Sequence, residues 1–351
     1  MDFDINILKE LSNADGISGY EKEVSRVAKS YFEKYADEII YDNLGSIIGI
    51  KNGKENEPKI MISAHMDEVG FIVRSITKEG YIRLLPVGGW WGHVMPAQVM
   101  RITTDKGEKI KGVVISKAPH GMSKEEKSKV IEPKDLYLDL GVLNKEEVLK
   151  IGVNIGDMIT PDVDFQIMNN ENYFLGKAFD DRAGVGVIID ILRELKNEKI
   201  KSTIYSVGSV QEEVGIRGAR TATNKIKPNI AIAIDVTKAE DTPFDKNGIK
   251  LGDGINITMA DALTIGNSKL VDKMKEICKE LNLDFKIDCM MDGGTDACNI
   301  HKSLNGVIAM TISIPTRYMH SSRLIIHKRD YIDTVKLLAE FCRRIDKSFI
   351  E

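Results

Sequence analysis

The stretch TIYSVGSVQEEVGIRGAR (residues 203–220) places two adjacent carboxylates, Glu212 and Glu213, directly after an apolar run. The pattern predicts a strand over 203–210 and a helix that begins near Gly218, which is a strand-to-helix step of an α/β fold. Like charges at the end of a buried strand repel each other and are costly to desolvate. A bound cation would remove that cost, so the acidic pair indicates a metal site.

The same alternation extends over both ends of the chain. Apolar spacing predicts helices at 5–11, 21–35, 181–195, 268–281 and 328–350, and strands at 60–64, 203–210, 230–236 and 306–314. Strands that alternate with helices imply a mixed, mainly parallel sheet with helices on both faces. We therefore predict an α/β fold for this part of the protein.

Residues 69–163 have a different pattern of apolar and turn-forming residues. Short β-like runs such as FIVRSI and AQVMRITT alternate with Gly and Pro turn signals, at roughly ten-residue spacing. This spacing favours a small β-barrel or sandwich over βαβ units, and the predicted insert is a small β-barrel or PDZ-like domain. We predict a catalytic α/β domain at 1–68 and 164–351, and a β-rich insert at 69–163.

Composition excludes several classes of protein. The 351 residues carry a formal net charge of -4, whereas nucleic-acid-binding proteins usually carry an excess of positive charge. The sequence shows no apolar run of the roughly 20 residues that a membrane span needs. The start, MDFDINILKELSNADG, has acids where a signal peptide needs basic residues, and the 4 cysteines show no CxxC spacing. We therefore expect a cytoplasmic protein.

Acids and histidines follow the predicted strands at five places. These residues are His65 and Asp67, Asp180 and Asp181, Glu212 and Glu213, Asp235, and His320. Taken singly, each has an ordinary explanation, such as a hydrogen-bonded structural histidine or a helix N-cap at Asp181. Ligand-binding groups of α/β folds collect beyond the carboxyl ends of strands, so together these residues predict a metal site.

The type of ligand restricts the metal. Two histidines and several carboxylates without a thiolate suit borderline to hard divalent ions such as Zn, Co or Mn. The ligands are too numerous for one tetrahedral ion, whereas a pair of ions that share an aspartate would use them all. Such a site would polarise a carbonyl and acidify a water, and a separate carboxylate would take and return the proton.

Six motifs then carry a resemblance to a known family. In chain order they are HMDEVG, GKAFDDRAG, VQEEVGIRGA, AIDVT, GGTDA and RYMHSS. Together they resemble the TET-type (tetrahedral) dinuclear metallo-aminopeptidases, which include deblocking, glutamyl and leucyl aminopeptidases and some members labelled endoglucanase. The resemblance covers nearly the whole chain and implies a zinc-exopeptidase-like α/β fold.

The resemblance also implies a role for each site residue. It implies two divalent metal ions per subunit, with Asp180 bridging them, His65 and Asp235 completing one ion, and Glu213 and His320 completing the other. Glu212 would be the general base and acid, and Asp67 would orient the imidazole of His65. The Asp180–Asp181 peptide bond is expected to be cis.

The predicted function is that of an aminopeptidase that releases N-terminal residues from short peptides. The resemblance implies dimers that assemble into a tetrahedral dodecamer through the insert. Alternatives are a dinuclear deacylase or carboxypeptidase, the endoglucanase label, and a non-catalytic assembly protein whose metals are structural. The preferred N-terminal residue stays open, as does any substrate contact by Trp90, Trp91 or His120 of the insert.

Overall fold

The computed structural model describes residues 3–55, 58–245, 248–290 and 292–351, with the backbone alone at Pro119. The strands are Glu38–Tyr41 (β1), Ile47–Lys51 (β2), Lys59–His65 (β3), Gly70–Ile76 (β4), Ile82–Val87 (β5), Val99–Thr103 (β6), Lys109–Ile115 (β7), Tyr137–Asp139 (β8), Met158–Pro161 (β9), Gln166–Ile167 (β10), Tyr173–Gly176 (β11), Thr203–Ser209 (β12), Ile230–Lys238 (β13), Ile255–Ala260 (β14), Phe285–Cys289 (β15), Ile308–Thr316 (β16) and Leu324–His327 (β17). The α-helices are Ile5–Asn13 (α1), Lys22–Tyr35 (α2), Lys124–Ser128 (α3), Lys145–Lys150 (α4), Phe179–Leu195 (α5), Arg217–Ile226 (α6), Ser268–Glu280 (α7), Asp296–His301 (α8) and Lys328–Arg344 (α9).

The main sheet is mixed, as the sequence predicts. Within the described residues it has eight strands in the order β1-β2-β12-β3-β13-β16-β14-β15. The central strands β12, β3, β13 and β16 are parallel, whereas β2 and β14 flank them antiparallel. Central parallel strands are buried on both faces, which explains their near-continuous apolar runs.

Helices cover both faces of this sheet. On one face α5 packs against β3 and β13 and is covered by α1, α2 and α9. On the other face α6 and α8 bury a smaller cluster that includes Met61, Ala219 and Ile226. The predicted arrangement of helices on both faces is therefore confirmed.

The β-rich segment forms a closed barrel with the strand order β4-β5-β8-β7-β6-β9. Its strands lie between Gly70 and Pro161, and its interior holds Phe71, Leu84 and Ile102. Closure leaves this sheet without a free edge. The predicted inserted barrel is confirmed.

Ion pairs join the barrel to the α/β part at Asp15, which is fully buried. From the barrel, Arg101 Nη2 lies 2.6 Å from Asp15 Oδ1, and Lys109 Nζ lies 2.6 Å from Asp15 Oδ2. From the α/β part, Lys177 Nζ lies 3.1 Å from Asp15 Oδ1. Burial alone would raise the pKa of Asp15, but these cations hold it well below its usual value.

Element ends differ from the sequence prediction at the last helix. Helix α9 ends at Arg344 instead of reaching residue 350, because Ile345 is extended and Asp346 starts a separate 3₁₀ turn at Lys347–Phe349. The short strands β14, β15 and β17 were also missed. Among the described residues, no helix combines the length and the apolar character needed to cross a membrane.

Candidate metal centre

The predicted ligands meet at the carboxyl edge of the parallel strands. His65 is the last residue of β3, and Glu213 lies just beyond the end of β12. Asp235 lies within β13, which continues to Lys238, and Asp180 lies at the start of α5. With His320, which follows β16, the fold therefore brings residues from five separate segments to one place.

A first group consists of His65, Asp180 and Asp235, whose ligand atoms all lie within 4.8 Å of one another. His65 Nε2 lies 3.1 Å from Asp180 Oδ1. The other ring nitrogen, Nδ1, lies 3.0 Å from the backbone carbonyl oxygen of Asp67. If Nδ1 donates to that oxygen, the lone pair of Nε2 faces the group, as in a metal-binding histidine.

A second group consists of Asp180, Glu213 and His320, again with ligand atoms within 4.8 Å of one another. His320 Nε2 lies 3.5 Å from Asp180 Oδ2 and 3.6 Å from Glu213 Oε1. Asp180 thus offers one carboxylate oxygen to each imidazole. It belongs to both groups.

Electrostatics show why a cation fits this site. Burial and the neighbouring Asp180 raise the pKa of Asp235 to about 8. Burial and Asp180 also raise the pKa of Glu213 well above its usual value. Carboxylates crowded together out of water are stabilised by a positive charge, and nitrogen and oxygen ligands suit divalent ions of the Zn, Co and Mn type.

Asp67 holds the backbone that carries the acidic pair. Its Oδ1 accepts a hydrogen bond from the Glu212 amide at 3.0 Å, and its Oδ2 accepts from the Glu213 amide at 3.1 Å. Its carboxylate lies 3.6 Å from His65 Nδ1, farther than its own carbonyl oxygen. The backbone carbonyl of Asp67, and not its carboxylate, therefore lies within hydrogen-bond distance of the imidazole.

The loop after β12 has an unusual backbone. Gln211 and Ile216 adopt φ values of 57° and 56°, a region that is costly for a β-branched residue. Gly218 approaches Val210 so closely that a Cβ atom there would lie 2.4 Å from the Val210 carbonyl oxygen. A side chain at position 218 would clash with Val210, which explains the glycine there. The close approach of these two residues closes the loop that turns Glu212 toward the site.

Asp181 has a structural role next to Asp180. The Asp180–Asp181 peptide bond is cis, as the resemblance implied. Asp181 Oδ1 accepts a hydrogen bond from the Gly184 amide at 3.0 Å, and Oδ2 accepts from the His65 amide at 3.2 Å. It therefore caps the helix and anchors the end of β3.

Sequence reasoning missed a buried arginine beside this site. Arg182 is fully buried and donates to the carbonyl oxygens of Met66 at 2.5 Å, Leu11 at 2.8 Å and Gly16 at 3.0 Å. Its Nη2 also lies 3.2 Å from Glu68 Oε1. The sequence offered one indication of this role, since Arg182 follows the two aspartates of the GKAFDDRAG motif. An arginine in a helix is ordinarily exposed, however, so its burial was not predicted.

The barrel also reaches the site, through the turn after β5. A Cβ atom on Gly89 would lie 3.0 Å from His320 Nδ1, and one on Gly88 would lie 3.4 Å from Glu213 Cβ. The neighbouring Trp90 packs on Phe71 inside the barrel, with ring centroids 5.2 Å apart. The insert therefore forms part of the wall of the centre.

Asp296 lies beneath the centre rather than in the cavity. Its Oδ2 accepts hydrogen bonds from Ser63 Oγ at 2.5 Å and from Ser209 Oγ at 2.6 Å. The N-cap of α8 is Thr295, not Asp296. Asp296 instead joins β3 and β12 below the ligands.

Carboxylates and imidazoles at the carboxyl edge of a mainly parallel sheet define the class of metal-dependent α/β hydrolases. The family model of the M42 glutamyl aminopeptidases matches residues 45–337 of the chain. The protein belongs to the M42 peptidase family and is an aminopeptidase, a hydrolase of peptide bonds.

Relatives over the full length agree with this assignment. The chain is 34% identical to the lysyl aminopeptidase of Pyrococcus furiosus, over 95% of each chain. It is similar to the crystal structure of a TET aminopeptidase from a marine-sediment thaumarchaeon, with 36% identity, a TM-score of 0.96, and coverage of 99% of this chain and 97% of that one. The TET1 peptidase of Pyrococcus horikoshii, which can assemble into a tetrahedron or a large octahedral shell, has 30% identity and a TM-score of 0.87, over 97% and 99% of the two chains.

Proposed function

We propose that this protein is a dinuclear metallo-aminopeptidase that releases N-terminal residues from short peptides. The observation that carries the proposal is the position of Asp180, whose carboxylate belongs to both groups of potential ligands. One shared carboxylate between two such groups is the arrangement that a pair of ions requires.

The five ligand residues divide between two sites. His65 and Asp235 would hold one divalent ion and Glu213 and His320 the other, with Asp180 shared between them. When bound, Zn, Co or Mn would supply Lewis-acid chemistry that polarises the scissile carbonyl and acidifies water.

Glu212 would move the proton. Burial, together with the nearby Asp235 and Glu213 carboxylates, raises the pKa of Glu212 well above its usual value. Its carboxylate lines the cavity beside the ligands, so it can take a proton from the attacking water and return it to the leaving amine.

The chain would assemble with copies of itself. The P. horikoshii relative forms closed shells, and the barrel of this chain exposes large apolar side chains, with Trp91 60%, Leu143 82% and Ile155 66% exposed. We propose dimers that assemble through the barrel, residues 69–163, into a tetrahedral dodecamer.

Metal removal is the direct test of the proposed function. Hydrolysis of a panel of aminoacyl-p-nitroanilides is expected to be lost after EDTA treatment and restored by Zn, Co or Mn, because the carboxylates alone cannot polarise the carbonyl. Initial rates and the metal content per subunit are the measurements. Hydrolysis of a β-glucan that survives EDTA would instead favour a glycosidase, which needs paired carboxylates and no metal.

The Asp67→Asn variant tests the anchor of the acidic pair. The two backbone amides bind different oxygens of the carboxylate, and asparagine replaces one of those oxygens with an NH₂ donor, so one of the two hydrogen bonds is lost in this geometry. We expect kcat/KM to fall by about 10- to 100-fold, the usual cost of losing a partner behind the ligands. Asp164→Asn, at an exposed position, is the control, and equal activity of the two variants would contradict the role of Asp67.

A further inference from the structure

A cavity of about 1180 Å³ opens beside the metal centre. Residues of the strands β13, β14 and β15 line its floor. Asp235 is paired in register with Ser313, and Ser313 is paired with Asn256, so the three lie in one row across the sheet. At about 4.8 Å per strand, Asn256 lies roughly 10 Å from the ligand Asp235.

A carboxylate stands at the far side of this floor. Asp288 Oδ2 accepts hydrogen bonds from Asn256 Nδ2 at 3.2 Å and from Thr237 Oγ1 at 3.4 Å. Asn256 and Thr237 are 0% and 3% exposed, so the carboxylate is held by buried donors. In the described part of the chain, no lysine or arginine lies within ion-pair distance of Asp288.

The Asn256 amide is oriented by Asp288. Its amide nitrogen is committed to Asp288, so its Oδ1 must point elsewhere. That oxygen is buried and has no hydrogen-bond partner among the described residues. A buried acceptor without a partner is costly, so the orientation of the amide favours the hydrogen bond that its nitrogen donates to Asp288 over one that its oxygen could accept.

The dimensions suit a long basic side chain. Thr237 follows Asp235 by two residues on the same face of β13, about 7 Å along the strand. An extended lysine side chain has five single bonds and spans roughly 6 Å. Ile249, Leu263 and Met319 also line the cavity and can cover its aliphatic stem.

Two lysines that line the cavity form ion pairs with carboxylates other than Asp288. Lys238 Nζ lies 2.6 Å from Asp245 Oδ2, and Lys286 Nζ lies 4.0 Å from Asp253 Oδ2. Both side chains are more than half exposed, at 61% and 55%. They therefore leave the charge of Asp288 uncompensated.

We infer that this cavity receives the side chain of the substrate's N-terminal residue, and that Asp288, held by Asn256 and Thr237, selects lysine and arginine. This inference rests on the proposed function. Asp288 is a specificity-determining residue in this scheme, since its carboxylate binds the ammonium or guanidinium group while the reaction takes place at the metal centre.

The test compares Lys-, Arg-, Leu- and Glu-p-nitroanilide with the metal-loaded enzyme. Wild type is expected to show the highest kcat/KM with Lys and Arg. Asp288→Asn is expected to lower those two values by about 10- to 100-fold, the loss expected for a charge-assisted hydrogen bond. Leu-p-nitroanilide hydrolysis should stay within about threefold, which also reports that the variant is folded.

Asp288→Lys reverses the charge and is expected to raise the ratio of Glu to Lys hydrolysis. The matched control is Asp284→Asn, which makes the same charge change at a side chain that is 69% exposed and pairs with Arg329. That control should leave all four kcat/KM values unchanged. A wild-type preference for Glu or Leu, or an equal loss on all substrates in Asp288→Asn, would overturn the inference. If wild type hydrolyses none of the four substrates, the proposed function itself fails.

Discussion

Replacing Glu212 with glutamine is expected to lower kcat by about 10²- to 10⁴-fold while the protein keeps its metal. Glutamine has nearly the same shape but cannot take a proton at neutral pH. The backbone amide of Glu212 still donates to Asp67, so the loop should stay in place. The measurements are kcat on an aminoacyl-p-nitroanilide and the metal content of the purified variant.

The neighbouring residue provides the matched comparison. Glu213→Gln makes the same change one position along the chain, but Glu213 Oε1 faces His320 in the second group of ligands. This variant should lose metal affinity by at least tenfold, and added metal should restore part of its activity. If Glu212→Gln kept full activity, or if both variants lost metal equally, the division of roles between the two carboxylates would be wrong.

Replacing Arg182 with methionine is expected to have the largest effect on stability. The change leaves the buried carbonyl oxygens of Met66 and Leu11 without the guanidinium that donates to them, and Glu68 loses one of its two cations. Removing one partner from a buried ionic network costs about 3–5 kcal/mol of unfolding free energy. The measurement is the free energy of unfolding in urea, with metal chelated so that ligand binding does not contribute.

Arg220→Met is the control for this substitution. Arg220 is exposed on α6, and surface changes of this kind usually lie within about 0.5 kcal/mol. Equal unfolding free energies for the two variants would show that the network around Arg182 is not needed for stability. Arg182→Lys keeps the positive charge, but a lysine cannot reach all of the acceptors of the guanidinium. Comparing its unfolding free energy with that of Arg182→Met therefore distinguishes the effect of the charge from the effect of the hydrogen bonds.

The sequence was most informative where acidic residues or histidines directly follow an apolar run. His65, Asp180, Glu213, Asp235 and His320 could be named because acids and histidines rarely follow buried strands without a reason. The sheet and the barrel were predictable because their apolar periodicities differ along the chain. The grouping of the ligands came from the resemblance, and their proximity came from the fold.

Other residues could not be found in this way because their roles depend on distant contacts. In the sequence Arg182 looks like an ordinary helical residue. Only the fold shows that its guanidinium binds backbone carbonyl oxygens near the ends of α1 and β3. Asp288 lies on β15, a short strand without clear alternation, and its partners Thr237 and Asn256 are 51 and 32 residues away. No local pattern predicts such contacts, since they depend on strand order rather than on spacing.

The ion pairs at Asp15 have a consequence for how the two parts of the chain depend on each other. Arg101 and Lys109 belong to the barrel, and without them Lys177 would be the remaining described cation beside a fully buried aspartate. Lys177 also binds Glu68, which contacts Arg182 close to the metal ligands. The barrel thus supplies two of the three described cations beside Asp15, and we expect a chain that lacks those two cations to fold less stably in its α/β part as well.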